Sequence, residues 1–291
     1  MKPSAFEYLS PGSVAEAIEL LERYKDEAKI IAGGQSLVPM MNFRLARPEI
    51  LIDINGIKEL DFIREEGDEL VIGALTRERD LELSPLVIER CPILAKAVSF
   101  IGHSPIRNRG TIGGSLVHAD PSAEIPTTVC ALNAEMKVVG PSGERILGPE
   151  EFFLSYLTTS LEPSDILVEV KIPVLPQKAG WSFMELSRRA GDFAIVAVAI
   201  ILFMGEGGLC SEARISMGGV APTPIRAEEA EELLAGQAIT DVLIDKSGQE
   251  AGEATDTEPD YHASAEYRMD MTRVFVQRGL KEARKMVNGG Q

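Results

Sequence analysis

The sequence predicts an α+β protein made of two lobes and a smaller terminal domain. Three observations support that reading. Short apolar strands alternate with a capped amphipathic helix in residues 1–55. Residues 56–175 carry repeated hairpin signals with helical spacing between them. Residues 176–291 open on strand candidates and end in a long helical segment.

In the first unit, Ser13 and Glu16 stand ahead of Ala17, Ile18 and Leu21, which continue the helical spacing begun at Val14. A hydroxyl at the N-cap and a carboxylate three residues on satisfy N–H groups that a helix start leaves free, so a helix is predicted there. Residues 28–32 read as a strand turned by Gly33-Gly34, residues 35–42 open a helix before Pro48, and residues 50–54 form another strand. In the second unit, residues 62–73 read as two strands about the acidic turn that holds Gly67. Residues 76–80 enter a helix, and helical spacing runs from 85 to 100. A further helix is predicted over 122–132 and a hairpin over 135–147, turned at Gly140-Pro141-Ser142-Gly143. Residues 165–172 form a strand with Ile166, Val168, Val170 and Ile172 alternating on one face.

Pro173, Pro176 and Gly180 mark the entry to the third unit. Strands are predicted over 181–187, within the apolar run 193–204, and over 213–218, with Gly205-Glu206-Gly207-Gly208 as a turn. A short helix follows over 228–234. The stretch 248–259 reads as a polar, acidic loop, and 266–287 as a helix with Met269, Val274, Val276, Leu280 and Met286 toward the core.

Composition bounds the function. The chain is 45% apolar and 25% charged, as folded proteins usually are, but its net charge is −16. That excludes a nucleic-acid partner, which needs a basic surface. It does not exclude a nucleotide cofactor, because backbone N–H groups can hold phosphate inside an acidic protein. No signal-peptide pattern opens the sequence, and the apolar run 193–204 is too short to span a bilayer as a helix. Cys91, Cys130 and Cys210 are widely spaced without a Cys-x-x-Cys, which reads as buried, reduced thiols of a cytoplasmic protein and no iron–sulfur cluster in this chain. His103 and His262 lack partners at metal-ligand spacing, so no metal site is expected.

The functional signal lies in two glycine segments. Ala32-Gly33-Gly34-Gln35-Ser36 follows the apolar pair Ile30-Ile31, and Thr111-Ile112-Gly113-Gly114-Ser115 runs on to His118-Ala119-Asp120-Pro121. Paired glycines let a chain turn sharply and bring bare N–H groups against a ligand, above all where a helix starts. Two such segments point to a large ligand with a pyrophosphate at its middle. Positive φ or close backbone approach is expected at Gly33 and Gly113. Asp120 either caps the following helix or contacts the ligand. His118 is not read as a catalytic base, and Glu124 suits the first turn of a helix, where its charge meets the dipole. Arg107 with Arg109, and Arg188 with Arg189, are solvated pairs, braces for their loops, or docking groups for an acidic partner.

Residues 32–41 and 51–54, Arg107-Asn108-Arg109-Gly110-Thr111-Ile112-Gly113-Gly114-Ser115-Leu116-Val117-His118-Ala119-Asp120-Pro121-Ser122-Ala123-Glu124, Ser187-Arg188-Arg189-Ala190-Gly191-Asp192-Phe193-Ala194 and Gly219-Val220-Ala221-Pro222-Thr223-Pro224 occur in one order. Taken together, they resemble the FAD-binding medium subunit of the molybdenum hydroxylases, the family of aerobic carbon monoxide dehydrogenase medium chains and xanthine dehydrogenase flavin domains. The resemblance implies a two-lobed FAD-binding domain of the vanillyl-alcohol-oxidase-like (PCMH-type) fold, followed by a small α+β domain with a three-stranded antiparallel sheet. It implies noncovalent FAD, with Ala32, Gly33, Gly34, Gln35, Ser36 and Leu37 about the pyrophosphate and Thr111, Gly113, Gly114 and Ser115 on its other side. Asp120 follows in the same stretch, and the backbone of Ile166 and Leu167 lies near the adenine or flavin edge.

By the same resemblance, a large molybdopterin-binding subunit would oxidise the substrate and a small subunit would carry two [2Fe–2S] clusters. The assembly would be a dimer of heterotrimers, in which this chain passes electrons from the clusters to an external acceptor. Three positions depart from the family pattern. Gln35 stands where many relatives have histidine, Ser115 where Asn or Asp is common, and Met184 where xanthine dehydrogenases have a flavin-edge lysine. The first removes a covalent flavin ligand, and the last leaves NAD⁺ as acceptor without support. A self-contained FAD oxidase and a nonenzymatic nucleotide-binding assembly module are the other readings of the glycine segments.

Overall fold

The computed structural model describes residues 1–289; Gly290 and Gln291, the end of the predicted third unit, lie outside the described residues. The N-terminal lobe comprises β1 (Glu7–Leu9), α1 (Val14–Tyr24), β2 (Ala28–Ile31), α2 (Leu37–Asn42) and β3 (Ile50–Asp53). Ser13 Oγ accepts from the Glu16 N–H at 3.2 Å and Glu16 accepts from the Gly12 N–H at 2.7 Å, which fixes the start of α1. That helix lays Ala17, Ile18 and Leu21 on Ile50, Ile52 and Ala28. Strand β3 runs between β1 and β2 and parallel to both. The carboxyl ends of β2 and β3 therefore open side by side, where open α/β sheets bind ligands.

The second lobe begins with the hairpin β4 (Ile63–Glu66) and β5 (Glu69–Gly73), then α3 (Glu78–Leu83), α4 (Pro85–Arg90) and α5 (Pro92–Val98). The helical spacing predicted from 85 to 100 is thus broken into two helices. Pro92 has no N–H to continue the ladder of α4 and starts α5 instead. There follow α6 (Ser104–Arg107), α7 (Ile112–His118), α8 (Glu124–Leu132), the hairpin β6 (Glu135–Gly140) and β7 (Gly143–Leu147), α9 (Pro149–Phe152), the short pair β8 (Phe153–Ser155) and β9 (Thr158–Thr159), and β10 (Ile166–Pro173). Strand β10 is central in an antiparallel sheet of order β4-β5-β10-β6-β7. A bulge between Leu167 and Glu169 shifts its register. Ile166 and Val168 consequently enter the core of the first lobe, whereas Val170 and Ile172 enter the central core. The predicted single apolar face is split in two, because one extra residue reverses the side-chain alternation.

The terminal sheet is antiparallel, in the order β11 (Gly180–Leu186), β12 (Val196–Met204), β13 (Cys210–Gly218), β14 (Ile225–Arg226). It has four strands where three were expected. The fourth is a two-residue edge held by Arg226, which donates to Glu231 at 2.6 and 2.7 Å and to Asn133 at 2.8 Å. Strand β12 is buried on both faces: Ala197, Ala199 and Ile201 belong to the central core, and Val196, Val198, Ile200 and Leu202 to the terminal one. Helices α10 (Glu228–Leu234), α11 (Asp241–Glu253) and α12 (Ala265–Val287) complete the domain.

The predicted loop over 248–259 is in its first part the end of α11. Ser247, Gly248, Ala251 and Gly252 are buried. A Cβ on Gly248 would come within 2.5 Å of Gln277 Cγ and 2.9 Å of the Arg273 carbonyl, so these small residues mark close helix packing rather than exposure. On α12, Val276 and Leu280 are buried as expected, Met269 and Val274 are half-buried, and Met286 is exposed. The Cys91, Cys130 and Cys210 thiols are free and buried. Among the described residues no helix is long and apolar enough to cross a membrane.

Arg268 of α12 is also buried, and nothing in the sequence marks it. Its guanidinium donates to the carbonyls of Ile195 at 2.6 Å and Gly219 at 2.7 Å and to Asp260 at 2.7 Å, tying the start of β12 and the end of β13, side by side at one end of the sheet, to the helix. Arg268→Met leaves two buried carbonyls without a donor and should lower stability by about 3 kcal/mol. Urea unfolding would report it as a lower midpoint at unchanged slope.

Candidate functional site

A cleft of about 330 Å³ opens at the carboxyl ends of β2 and β3, lined by the 31–35 turn, the exposed side of α2, Asp53, Asn55 and Arg109. Apolar residues Ile30 and Ile31 carry the chain into the core and release it at Ala32, after which Gly34 takes φ +72°. That left-handed conformation favours glycine and turns the chain into α2. Among the described residues, no hydrogen bond engages the N–H groups of Gly33, Gly34, Gln35, Ser36 or Leu37. Gln35 folds back, its Nε2 donating to the Gly33 carbonyl at 2.9 Å. Ser36 occupies the N-cap position of α2 without a capping bond, which leaves that helix start free.

Gly33 does not have a positive φ; its need for glycine is steric. A Cβ there would lie 2.4 Å from the Arg109 carbonyl oxygen and 2.9 Å from Gly110 Cα. The first glycine segment therefore abuts the residues that lead into the second. A ring of polar groups fixes this contact. Arg77 donates to the Arg109 carbonyl at 2.6 Å and to Asn55 Oδ1 at 2.7 Å, and Asn55 Nδ2 donates to the Ala32 carbonyl at 2.7 Å. Asn55 also donates to Asp53 from its amide and its backbone, at 2.6 and 2.9 Å. Burial works against ionisation of Asp53, but hydrogen bonds from Tyr8 and Asn55 and the charge of Arg109 hold its carboxyl below the usual range.

The second glycine segment is built differently from expectation. Residues 112–118 are already helix, and the four N–H groups at the start of α7 are all used. Ile112 donates to Thr76 O at 3.1 Å, Gly113 to Ala74 O at 2.9 Å, Gly114 to Thr111 Oγ1 at 3.0 Å and Ser115 to Thr111 O at 3.0 Å. Gly113 has helical backbone, and a Cβ on it would meet Ala74 at 2.7 Å. Its smallness lets α7 pack on the end of β5, while Gly114 stays exposed and Ser115 half-buried. The bare N–H groups expected at both segments are found only at the first.

Asp120 holds the turn before α8, accepting from the Ser122 N–H at 2.9 Å. It does not cap that helix, which starts at Glu124 behind an uncapped Ala123. Ile166 and Leu167 are buried at the start of β10, Ile166 in the same core that Ala32 packs against. Arg107 is a brace: buried, it donates to Glu82 at 2.9 and 3.2 Å and to the Ile101 carbonyl at 2.8 Å. Arg188 and Arg189 pair with Asp192 on the surface. Asp53, Asn55 and Arg77 were not among the predicted site residues. The position of Asp53 and Asn55 just past a buried parallel strand was the available signal; for Arg77 there was none.

The cleft fits a ligand with an anionic centre, since Gly33, Gly34 and Gln35, whose N–H groups are unpaired, and the cation of Arg109 are on its lining, and the free N–H groups of Ser36 and Leu37 follow directly. Comparison with known proteins gives that ligand a class. Residues 4–175 match the model of the FAD binding domain in molybdopterin dehydrogenase, and residues 181–283 that of the CO dehydrogenase flavoprotein C-terminal domain. The 6-hydroxypseudooxynicotine dehydrogenase complex subunit alpha of Paenarthrobacter nicotinovorans is 44% identical, over 97% of this chain and 96% of its own. The carbon monoxide dehydrogenase medium chain of Hydrogenophaga pseudoflava is 40% identical, over 97% and 98%. Among solved structures, carbon monoxide dehydrogenase from Hydrogenophaga pseudoflava lacking the Mo-pyranopterin moiety has a similar chain, with TM-score 0.96 and 41% identity over 98% of this chain and 99% of that one. Quinoline 2-oxidoreductase from Pseudomonas putida 86 gives TM-score 0.93 at 35% identity over 99% and 100%. The chain accordingly belongs to the family of FAD-binding domains in molybdopterin dehydrogenases, with a C-terminal domain of the CO dehydrogenase flavoprotein type.

Proposed function

We infer that this chain is the FAD-carrying electron-transfer subunit of a molybdenum hydroxylase. The observation that carries the reading is the run of unpaired N–H groups from Gly33 to Leu37, the first three on the cleft at the carboxyl ends of β2 and β3, in a chain that matches flavin subunits along nearly its whole length. The division into units 1–55, 56–175 and 176–291, with the first two as lobes of a PCMH-type fold, belongs to the same reading. When bound, FAD supplies a centre that accepts electrons singly and passes on one or two. The protein binds and orients it. Gly33, Gly34, Gln35, Ser36 and Leu37 would offer N–H groups to the pyrophosphate, and Ala32 would be held at its edge by Asn55. Gly114 and Ser115 would form the opposite wall, through the accessible side of α7 rather than through free N–H groups, with Thr111 and Gly113 buried behind them and holding that helix in place. Asp120, Ile166 and Leu167 are proposed as further contacts.

The partners are proposed to be a large molybdopterin-binding subunit and a small subunit with two [2Fe–2S] clusters, assembled as a dimer of heterotrimers in the cytoplasm. Support comes from relatives named as a complex subunit or a medium chain, and from three buried free thiols with no Cys-x-x-Cys. The test is co-purification from the native source: a molybdopterin and an iron–sulfur polypeptide should travel with the chain. Substrate oxidation by this chain alone would overturn the reading.

Gln35 cannot act as the covalent flavin ligand that a histidine there could be. Acid precipitation of the holoprotein should therefore leave FAD, not FMN, in the supernatant; flavin retained on the denatured chain would contradict this. Arg77→Ala removes two hydrogen bonds that join the cleft's two walls. It should weaken FAD binding about tenfold to a hundredfold with the far-ultraviolet dichroism unchanged, as read by calorimetric titration. Gly34→Val, at positive φ, should abolish measurable binding. Gly113→Val instead meets Ala74 and should reduce stability first.

A further inference from the structure

The cleft that suits an anion also contains one. Asp53 ends β3, and in the register of the parallel sheet it stands opposite Ile31, the last residue of β2. It is therefore one strand spacing, roughly 5 Å, from the point where the chain leaves for Gly33 and the free N–H groups. It lines the same cleft. Burial opposes its ionisation, but hydrogen bonds from Tyr8 and Asn55 and the charge of Arg109 keep it a carboxylate. A fixed negative charge beside the seat of a pyrophosphate repels it, so Asp53 weakens binding unless another part of the ligand donates to it.

Asp53 has room for such a donor. Its Oδ1 accepts from the Asn55 backbone at 2.9 Å and from Asn55 Nδ2 at 2.6 Å, which uses both lone-pair directions. Among the described residues, Oδ2 accepts from the Tyr8 hydroxyl alone, and one direction stays open. The Tyr8 side chain is exposed, and its oxygen can still accept a hydrogen bond after donating to Asp53. A carboxylate oxygen and a phenol oxygen in contact match two hydroxyls held cis on a ring. FAD has one such pair, on its adenosine ribose; the ribityl chain of the flavin half is open and fixes none.

The order of the elements points the same way. Strand β2, a glycine turn, α2 and a parallel β3 follow one another, with a carboxylate at the end of β3, twenty positions after Gly33. In dinucleotide-binding βαβ units the pyrophosphate lies on the glycine turn, and an acidic residue at about this spacing takes a ribose hydroxyl. The reason is geometric: the ribose is bonded directly to the phosphate, so its hydroxyls fall near the end of the neighbouring strand. Val38 and Pro39, exposed on α2, add an apolar wall to the cleft on which a purine ring can lie.

We propose that Asp53 is the residue by which the cleft recognises the adenosine half of FAD, its open carboxylate oxygen accepting a hydrogen bond from a ribose hydroxyl. This rests on the reading that the pyrophosphate of FAD lies on the first glycine segment. Tyr8 acts through Asp53 as a positioning residue, holding the carboxylate in place from β1.

The test is displacement of FAD from the full chain, followed by flavin fluorescence, with ADP, 2′-deoxy-ADP and 3′-deoxy-ADP as competitors. In the wild type, ADP should displace FAD, and loss of one ribose hydroxyl should weaken the competitor about tenfold to a hundredfold, as for a hydrogen bond to a charged group. In Asp53→Ala the three should compete alike. The discrimination is the readout, because the variant also loses a charge that repels phosphate. Equal competition by all three in the wild type, or full discrimination in the variant, would overturn the assignment while leaving FAD binding intact. So would FMN displacing FAD where millimolar ADP does not, since the flavin half would then occupy the cleft. Should Asp53→Ala not fold, Asp53→Asn keeps the shape without the charge and should cut the discrimination several-fold; unchanged discrimination would refute the proposal. Failure of the wild type to bind FAD would overturn the underlying reading as well and would be seen first.

Discussion

The approach of Gly33 to the Arg109 carbonyl sets how far apart the two lobes can stand. With no side chain in the way, backbone meets backbone, and the same carbonyl is gripped on its other side by Arg77. From Arg77 the connection passes to Asn55 and from Asn55 back to Ala32, next to where it began. The two ends of this circuit that meet the glycine segments are main-chain carbonyls, and the side chains of Asn55 and Arg77 hold them at that spacing. The cleft in turn keeps five N–H groups unpaired, a state the interior would penalise but an open, ligand-filled groove tolerates.

The two glycine segments look alike as sequence and differ in physics. In the first, glycine is needed for one left-handed turn and one close approach, and the N–H groups stay free. In the second, the helix has already begun and its first N–H groups are consumed by Ala74, Thr76 and Thr111. Letters could not separate these cases. What decides is whether the preceding residues leave acceptors nearby, and Ala74 and Thr76 lie more than thirty positions upstream.

Much else was legible. The cap of α1, the hairpin about Gly67, the four-residue turn at 140–143 and helix α10 each follow from local chemistry that no distant contact overrides. The family resemblance was legible too, because the block from Arg107 to Glu124 is long and specific. What escaped depends on contacts far along the chain. The bulge in β10 sends one apolar strand into two cores, which a simple alternation hides. The end of α11 was read as loop because small residues that permit close packing look, by composition, like residues with nothing to bury. Arg268 carries no signal in the sequence, because its guanidinium is bound to two carbonyls well upstream in the chain.

Strand β12 bears on how the molecule comes apart. Its odd-numbered residues from Ala197 to Ile201 complete the core beneath α5 and α8, and its even-numbered ones complete the core beneath α12. Neither hydrophobic interior can be opened without stripping this strand from the other. Melting is therefore coupled across the chain, a single cooperative unit in place of two independent foldons. The terminal domain is then not a detachable module: excising it would expose the apolar underside of the flavin-binding part to water.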